Sequence, residues 1–186
     1  MKKLFMVGVL GLALGITGVF AQHPSGWGIG IQGGLGLSGG GPALSLKVPS
    51  LPIFWAINLG FGGSDKDYKT SRFEIGVSGD YYFYDQALLP DIGLGWYLGG
   101  GGYFWFSNFT YHTPGQDQSW TGIGLGGRLP IGLSWMLPIP VKLELYLQAV
   151  PSLGIKFLIG DTYGDDYNYD VFDFGIGGNL GIRIWL

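Results

Sequence analysis

From residue 25 onward, large apolar residues recur at every second position, separated by glycine or polar residues. Trp27-Gly28-Ile29-Gly30-Ile31, Ile92-Gly93-Leu94-Gly95-Trp96 and Ile123-Gly124-Leu125-Gly126 are the clearest examples. A period of two places alternate residues on opposite sides of a strand, one side large and apolar, the other small. Followed along the chain, the alternation predicts eight strands at approximately 25–38, 42–48, 53–63, 72–83, 91–106, 120–135, 141–158 and 172–186. The apolar face is continuous through Ile53, Trp55, Ile57, Leu59 and Phe61 on the third, and through Phe172, Phe174, Ile176, Leu180, Ile182, Ile184 and Leu186 on the eighth. The second segment is shorter than the roughly 9–11 residues of a tilted membrane-spanning strand.

The connections alternate in kind. Pro49–Pro52, Tyr84–Pro90 and Met136–Pro140 are compact and carry proline, whereas Ser64–Ser71, Ser107–Ser119 and Ile159–Val171 are longer and polar. The first connection, near Gly39–Gly41, is short. Short turns at one rim and longer loops at the other are the layout of an up-and-down transmembrane barrel, with both termini on the short-turn side.

The direction of the two faces follows from volume. An eight-stranded barrel encloses room for side chains or one small ligand. The large apolar set, which includes Trp27, Trp55, Trp96 and Trp135, exceeds that room and must face outward. The glycine face, with Lys47, Asn58, Glu74, Ser78, Asp80, Arg128, Lys142, Glu144, Gln148, Asn179 and Arg183, then lines the lumen, each long side chain needing a gap opposite. Tyr81, Phe83 and Trp135 near the short turns, and Phe104, Phe106 and Trp120 near the loops, are placed to form interfacial girdles. Pro130 and Pro151 fall inside the sixth and seventh segments, where each removes a ladder donor, so a bulge or break is expected there.

Composition sharpens this picture. Charged residues make up 12 % of the chain and hydrophobic residues 47 %, yet beyond residue 21 no apolar run reaches the length of a membrane helix. The closed barrel is the other fold that satisfies its backbone in lipid. Lys2 and Lys3, the apolar stretch Leu4–Phe20 and Val19-Phe20-Ala21 read as a signal peptide, 1–21, cleaved before Gln22 to leave a barrel domain, 22–186. Without Lys2 and Lys3 the chain is mildly acidic, which gives no support for nucleic-acid binding. It has no cysteine, hence no disulfide framework or thiolate chemistry.

With its strands placed, the chain resembles the small eight-stranded outer-membrane barrels, the class of the OmpA membrane domain, OmpX and OmpW, over residues 25–186 in pattern rather than identity. Arg128-Leu129-Pro130-Ile131-Gly132-Leu133-Ser134-Trp135 and Leu143-Glu144-Leu145-Tyr146-Leu147-Gln148-Ala149-Val150-Pro151 look like a stretch recurring in uncharacterised barrels of that class. The resemblance implies outer-membrane lipid as the surroundings and docking on the barrel-assembly machinery through the C-terminal strand. In such families that strand ends in an aromatic; here the last residue is Leu186, with Trp185 one place early.

Candidate chemistry is sparse. Of two histidines, His23 lies at the expected mature N-terminus, away from the outer rim, and His112 sits in a predicted loop with Asp117 and Ser119 near in sequence. A base without an evident nucleophile and orienter predicts no enzyme. Asp161, Asp165, Asp166 and Asp170, with several tyrosines, are candidates for loop contacts to a ligand or cation, although their spacing matches no calcium loop, and neither metal nor cofactor is expected. Lys47, Glu74, Asp80, Arg128, Lys142, Glu144 and Arg183 form a nearly balanced lumen set, and charges in a narrow interior persist when paired. The sequence therefore predicts an outer-membrane barrel with a plugged, polar lumen that acts through its surface loops or as a structural membrane element. The alternatives are a narrow channel for small or apolar solutes and a soluble, lipocalin-like periplasmic carrier.

Overall fold

The computed structural model describes residues 22–35, 41–63, 69–113, 116–160 and 172–186. The strands are β1 (Gly28–Leu35), β2 (Gly41–Lys47), β3 (Ile53–Gly63), β4 (Lys69–Leu89), β5 (Leu94–Thr113), β6 (Gln116–Arg128), β7 (Ile131–Met136), β8 (Leu143–Gly160) and β9 (Phe172–Trp185). Every pairing is antiparallel, and β1 pairs with both β2 and β9, so the sheet closes. β6 and β7 are two halves of one barrel strand, each lying between β5 and β8, which makes an eight-stranded up-and-down barrel.

The two faces divide as the alternation predicts. On β9, Phe174, Ile176 and Leu180 are 71 %, 70 % and 64 % exposed, whereas Asn179, Arg183 and Trp185 on the opposite face are buried. Exposed large apolar residues continue around the wall through Ile31, Leu44, Leu59, Phe104, Leu125, Leu133, Leu147 and Leu153. β2 is indeed short. It starts at Gly41, whose φ of 88° favours a residue without Cβ, and it pairs with β1 down to Gly34 opposite Gly41.

Three connections differ from expectation. Tyr84–Leu89 is strand rather than turn; only Pro90–Ile92 forms a short 3₁₀ turn, closed by Gly93 at φ 73°. Lys69, Thr70 and Ser71, at the end of a predicted loop, likewise belong to β4. Most of Ser107–Ser119 is also a hairpin, paired from Ser107 opposite Gly122 to Thr113 opposite Gln116. Its sequence mixes aromatic and hydroxyl residues, good strand formers, and its two strands are tied through Asn108 to Thr121 (3.2 Å) and Thr110 to Ser119 (3.2 Å). Polarity marks these segments as loops, but polar residues also continue a ladder beyond an apolar belt.

The expected interruption occurs at Pro130. Register is unchanged across it, with Arg128 opposite Ser152 and Ile131 opposite Ala149. Pro130 still accepts from the Gly99 N–H (2.8 Å), and Pro151 from the Leu129 N–H (2.9 Å), but neither proline can return a bond. The interruption expected at Pro151 does not occur: it stays within β8 in unbroken register, opposite Ile176 of β9.

Candidate functional site

The glycine face is explained by contacts that reach over it. Tyr97, Gly132 and Gln148 share one row across β5, β7 and β8, and the Tyr97 hydroxyl donates over Gly132 to Gln148 Oε1 at 2.9 Å. Tyr146 donates over Gly181 to Gln32 Oε1 at 2.8 Å in the same way. Arg183 Nη2 reaches over Gly30 to Ser45 Oγ, also at 2.8 Å. Asp80 Oδ1 and Arg128 Nε meet at 3.0 Å over Gly101. In each row a glycine supplies the space for a polar bridge between its two neighbours, an arrangement that only strict alternation can maintain.

The densest part of the lumen lies near the short turns, around Glu144. Its carboxylate is fully buried and has four polar partners. Oε1 accepts from Ser134 Oγ (3.0 Å) and faces His23 Nε2 (2.9 Å); Oε2 accepts from Arg183 Nη1 (2.8 Å) and Trp185 Nε1 (2.8 Å). The Arg183 guanidinium also lies 4.9 Å from the Phe54 ring centre and 4.7 Å from that of Tyr146. Phe54, Tyr82 and Tyr97 stack successively, with ring centres 4.0 and 4.3 Å apart.

His23 enters this cluster from a segment that closes the barrel mouth. Trp27 and Leu186 exchange backbone hydrogen bonds (3.1 and 2.8 Å), and Gln22 Nε2 donates to the carbonyls of Gly93 (2.7 Å) and Ser134 (3.0 Å). Between these anchors the His23 ring is buried, with Nδ1 2.8 Å from Asp85 Oδ1 and Nε2 on Glu144. Both ring nitrogens face carboxylate oxygens, an arrangement that favours a proton on each and so the imidazolium form. Burial by itself lowers its pKa, but the charges and hydrogen bonds of Glu144 and Asp85 together outweigh burial and hold it above the ordinary imidazole value. Glu144 thus faces both Arg183 and His23, and Asp85 faces His23 from its other side. A histidine with carboxylates on both nitrogens has none left to activate a nucleophile, and Ser134 is fully buried on Glu144.

The predicted lumen set divides four ways. Asp80 with Arg128, and Glu144 with Arg183, are buried ion pairs. Lys47 is buried but caps the neighbouring turn, donating to the carbonyls of Val48 and Leu51 at 2.8 Å each. Glu74 pairs with Arg72 nearer the loop end. Lys142 does not join them: β8 begins at Leu143, so the alternation that assigns Lys142 to the lumen has ended, and its side chain is exposed in the turn. Asp161, Asp165, Asp166 and Asp170 lie outside the described residues; backbone register places His112 opposite Asp117.

Several lumen residues escape a reading of the sequence. His23 lies away from the outer rim as expected, but inside the barrel mouth, where its role in the Glu144 cluster has no signal in the sequence. Asp85 has the parity of an outward residue, but a bulge between Tyr82 and Tyr84 resets the phase and turns it inward opposite Tyr97. Phe54, Tyr97, Tyr103, Tyr146 and Trp185 share parity with the glycines, a usable signal obscured by assigning bulk to the outside. Trp120, expected in a girdle, also faces the lumen side with Gly122. Trp185 is one place early because it roofs the Glu144 cluster, while Leu186 is the outward residue.

Towards the loop end the lumen opens into a cavity of about 340 Å³, bounded by the Arg72–Glu74 pair, Lys156 and Asp173 (3.8 Å apart), and the rings of Trp105 and Trp120.

Fold and lumen together define a small closed β-barrel with an apolar exterior and a salt-bridged core. The chain belongs to the family described as protein of unknown function (DUF3996), whose model matches residues 29–184. No curated protein matches. Among solved structures it is similar to CarO2 of Acinetobacter baumannii, at 12 % identity and a TM-score of 0.40, covering 86 % of this chain and 98 % of that one. The likeness to the OmpA, OmpX and OmpW class remains one of strand pattern.

Proposed function

We propose that this protein is an integral outer-membrane barrel, shut at its short-turn end, that works without catalysis through its open end and the loops there. The observation that carries the reading is the His23–Glu144–Arg183 cluster with its aromatic stack, which fills the lumen beneath a wall of exposed apolar side chains. Such an exterior suits lipid, since a soluble protein exposing apolar surface on every side would associate or precipitate. A charged cluster so closely paired resists hydration, because admitting water would separate pairs whose mutual attraction offsets their desolvation. In this reading residues 1–21 are the export signal, β9 docks on the assembly machinery, and the loops meet the extracellular partner.

Two measurements test it. Cell fractionation should place the protein in the outer membrane, with detergent needed for release and a heat-dependent shift in gel mobility. Recovery in a detergent-free periplasmic extract would instead support the soluble carrier. In planar bilayers the folded protein should be electrically silent; reproducible single-channel openings would replace the plugged barrel with the narrow channel.

A further inference from the structure

We infer that the open end of the lumen is a binding site for a neutral sugar ring. The inference rests on the proposed function and names a ligand class for its outer end.

The cavity differs from the lumen beneath it in one respect that matters for ligands. Glu144 and Arg183 have side-chain exposures of 0 % and 2 %, whereas Arg72, Glu74, Lys156 and Asp173 have 47 %, 24 %, 31 % and 24 %. The outer charges retain hydrogen-bonding capacity toward a guest. Their arrangement is specific: two carboxylates and two cations, paired within β4 and between β8 and β9. Trp105 lies in one row with Gly124 and Lys156, and its indole covers the wall left bare by Gly122 and Gly124. One ring face is therefore occupied by the barrel wall, and the ring borders the cavity.

Ligand chemistry follows from this arrangement. An anion or a cation would improve one half of each pair at the expense of the other. A neutral polyhydroxylated ring leaves the charge balance intact, because each hydroxyl donates to Glu74 or Asp173 and accepts from Arg72 or Lys156. Its C–H face lies against an indole, which offers a flat apolar surface at low entropic cost. The cavity volume of about 340 Å³ lies at the small end of ligand sites, in keeping with one or two rings rather than a long glycan.

The test uses the full protein, folded in an amine-oxide detergent that carries no sugar headgroup. Methyl glycosides of glucose, galactose, mannose and N-acetylglucosamine are titrated against tryptophan fluorescence, and the same sugars are then presented on glycolipid vesicles. At least one glycoside should give a saturable, millimolar response. Trp105→Leu should abolish it, and Glu74→Gln with Asp173→Asn should weaken it by about tenfold, roughly 1.4 kcal/mol. Heat-modifiable mobility checks that each variant is folded; if Trp105→Leu fails that check, the carboxylate variant decides alone. Tighter binding to vesicles than to free glycoside identifies a membrane-borne sugar, and equal binding a free one. The inference fails if no sugar responds, if the response survives the substitutions, or if inorganic phosphate binds in its place. Bilayer silence and outer-membrane fractionation would remain unaffected, so failure here is distinct from failure of the barrel reading.

Discussion

Tyr97 and Gln148 are not neighbours in the sheet: Gly132 stands between them, and the Tyr97 hydroxyl crosses it to donate to Gln148 Oε1 at 2.9 Å. A Cβ on Gly132 would lie 2.3 Å from Tyr97 Cζ, 2.4 Å from its hydroxyl oxygen and 2.8 Å from the Leu147 carbonyl oxygen. Tyr97 cannot readily move aside, since its other contacts include the stacked ring of Tyr82. Gly132→Ala should therefore cost about 1–3 kcal/mol by overpacking. Gly33→Ala is the control, because a Cβ there meets nothing within 4 Å. It should leave the urea midpoint of unfolding unchanged or raise it slightly.

Removing the negative charge at Glu144 should be among the most damaging single changes to the barrel. Glu144→Gln leaves the Arg183 guanidinium buried without its anion, a loss of roughly 3–5 kcal/mol. Pairing it with Arg183→Met removes both charges and should restore much of that loss. Urea unfolding of the two singles and the double gives the coupling; a double variant no better than Glu144→Gln would contradict the pairing.

The contribution of His23 should depend on pH. Its pKa is raised in the folded barrel, so the stabilisation is fully present below the unfolded imidazole value and disappears as pH rises through the folded one. Each pKa unit gained corresponds to about 1.4 kcal/mol. Wild type and His23→Asn should differ most in unfolding midpoint under mildly acidic conditions and converge on the alkaline side. A gap that widens with pH would refute the imidazolium assignment.

Trp185→Phe keeps an aromatic ring at the lumen mouth and removes only the indole donor. Loss of that 2.8 Å bond to a buried carboxylate should cost about 1.5–3 kcal/mol. Leu186→Phe, on the outward side, should leave stability near wild type. Equal effects from the two changes would mean that the Trp185 bond contributes little.

The strand pattern is legible because β-sheet alternation is written residue by residue, and lipid requires it to be consistent. It locates every barrel strand and the weak points at Pro130 and β2. What it cannot supply is phase and distance. The bulge after Tyr82 changes the side to which Asp85 points, and no composition rule announces it. Lys142 illustrates the reverse error, parity continued one residue beyond the end of a strand. His23 is hidden because nothing local distinguishes a free tail from one that folds back onto a partner 121 positions away. The Glu144–Arg183 pair is visible as charge balance, but the tyrosines and tryptophan around it are not, since the volume argument assigns bulk wholly to the outside.

That long separation has a bearing on how the molecule is made. His23 precedes every strand, yet Glu144, Arg183 and Trp185 arrive on the last two. Contacts between distant parts of a chain form late, because the intervening segment must be ordered first. Asp85 on β4 and Glu144 on β8 are joined through β5 and β7, so both carboxylates of His23 are brought together by that part of the sheet, whereas the Trp27–Leu186 bonds require the end of β9. The segment 22–27 thus ties Asp85, Ser134, Glu144 and Leu186, from widely separated parts of the chain, together at one rim of the barrel.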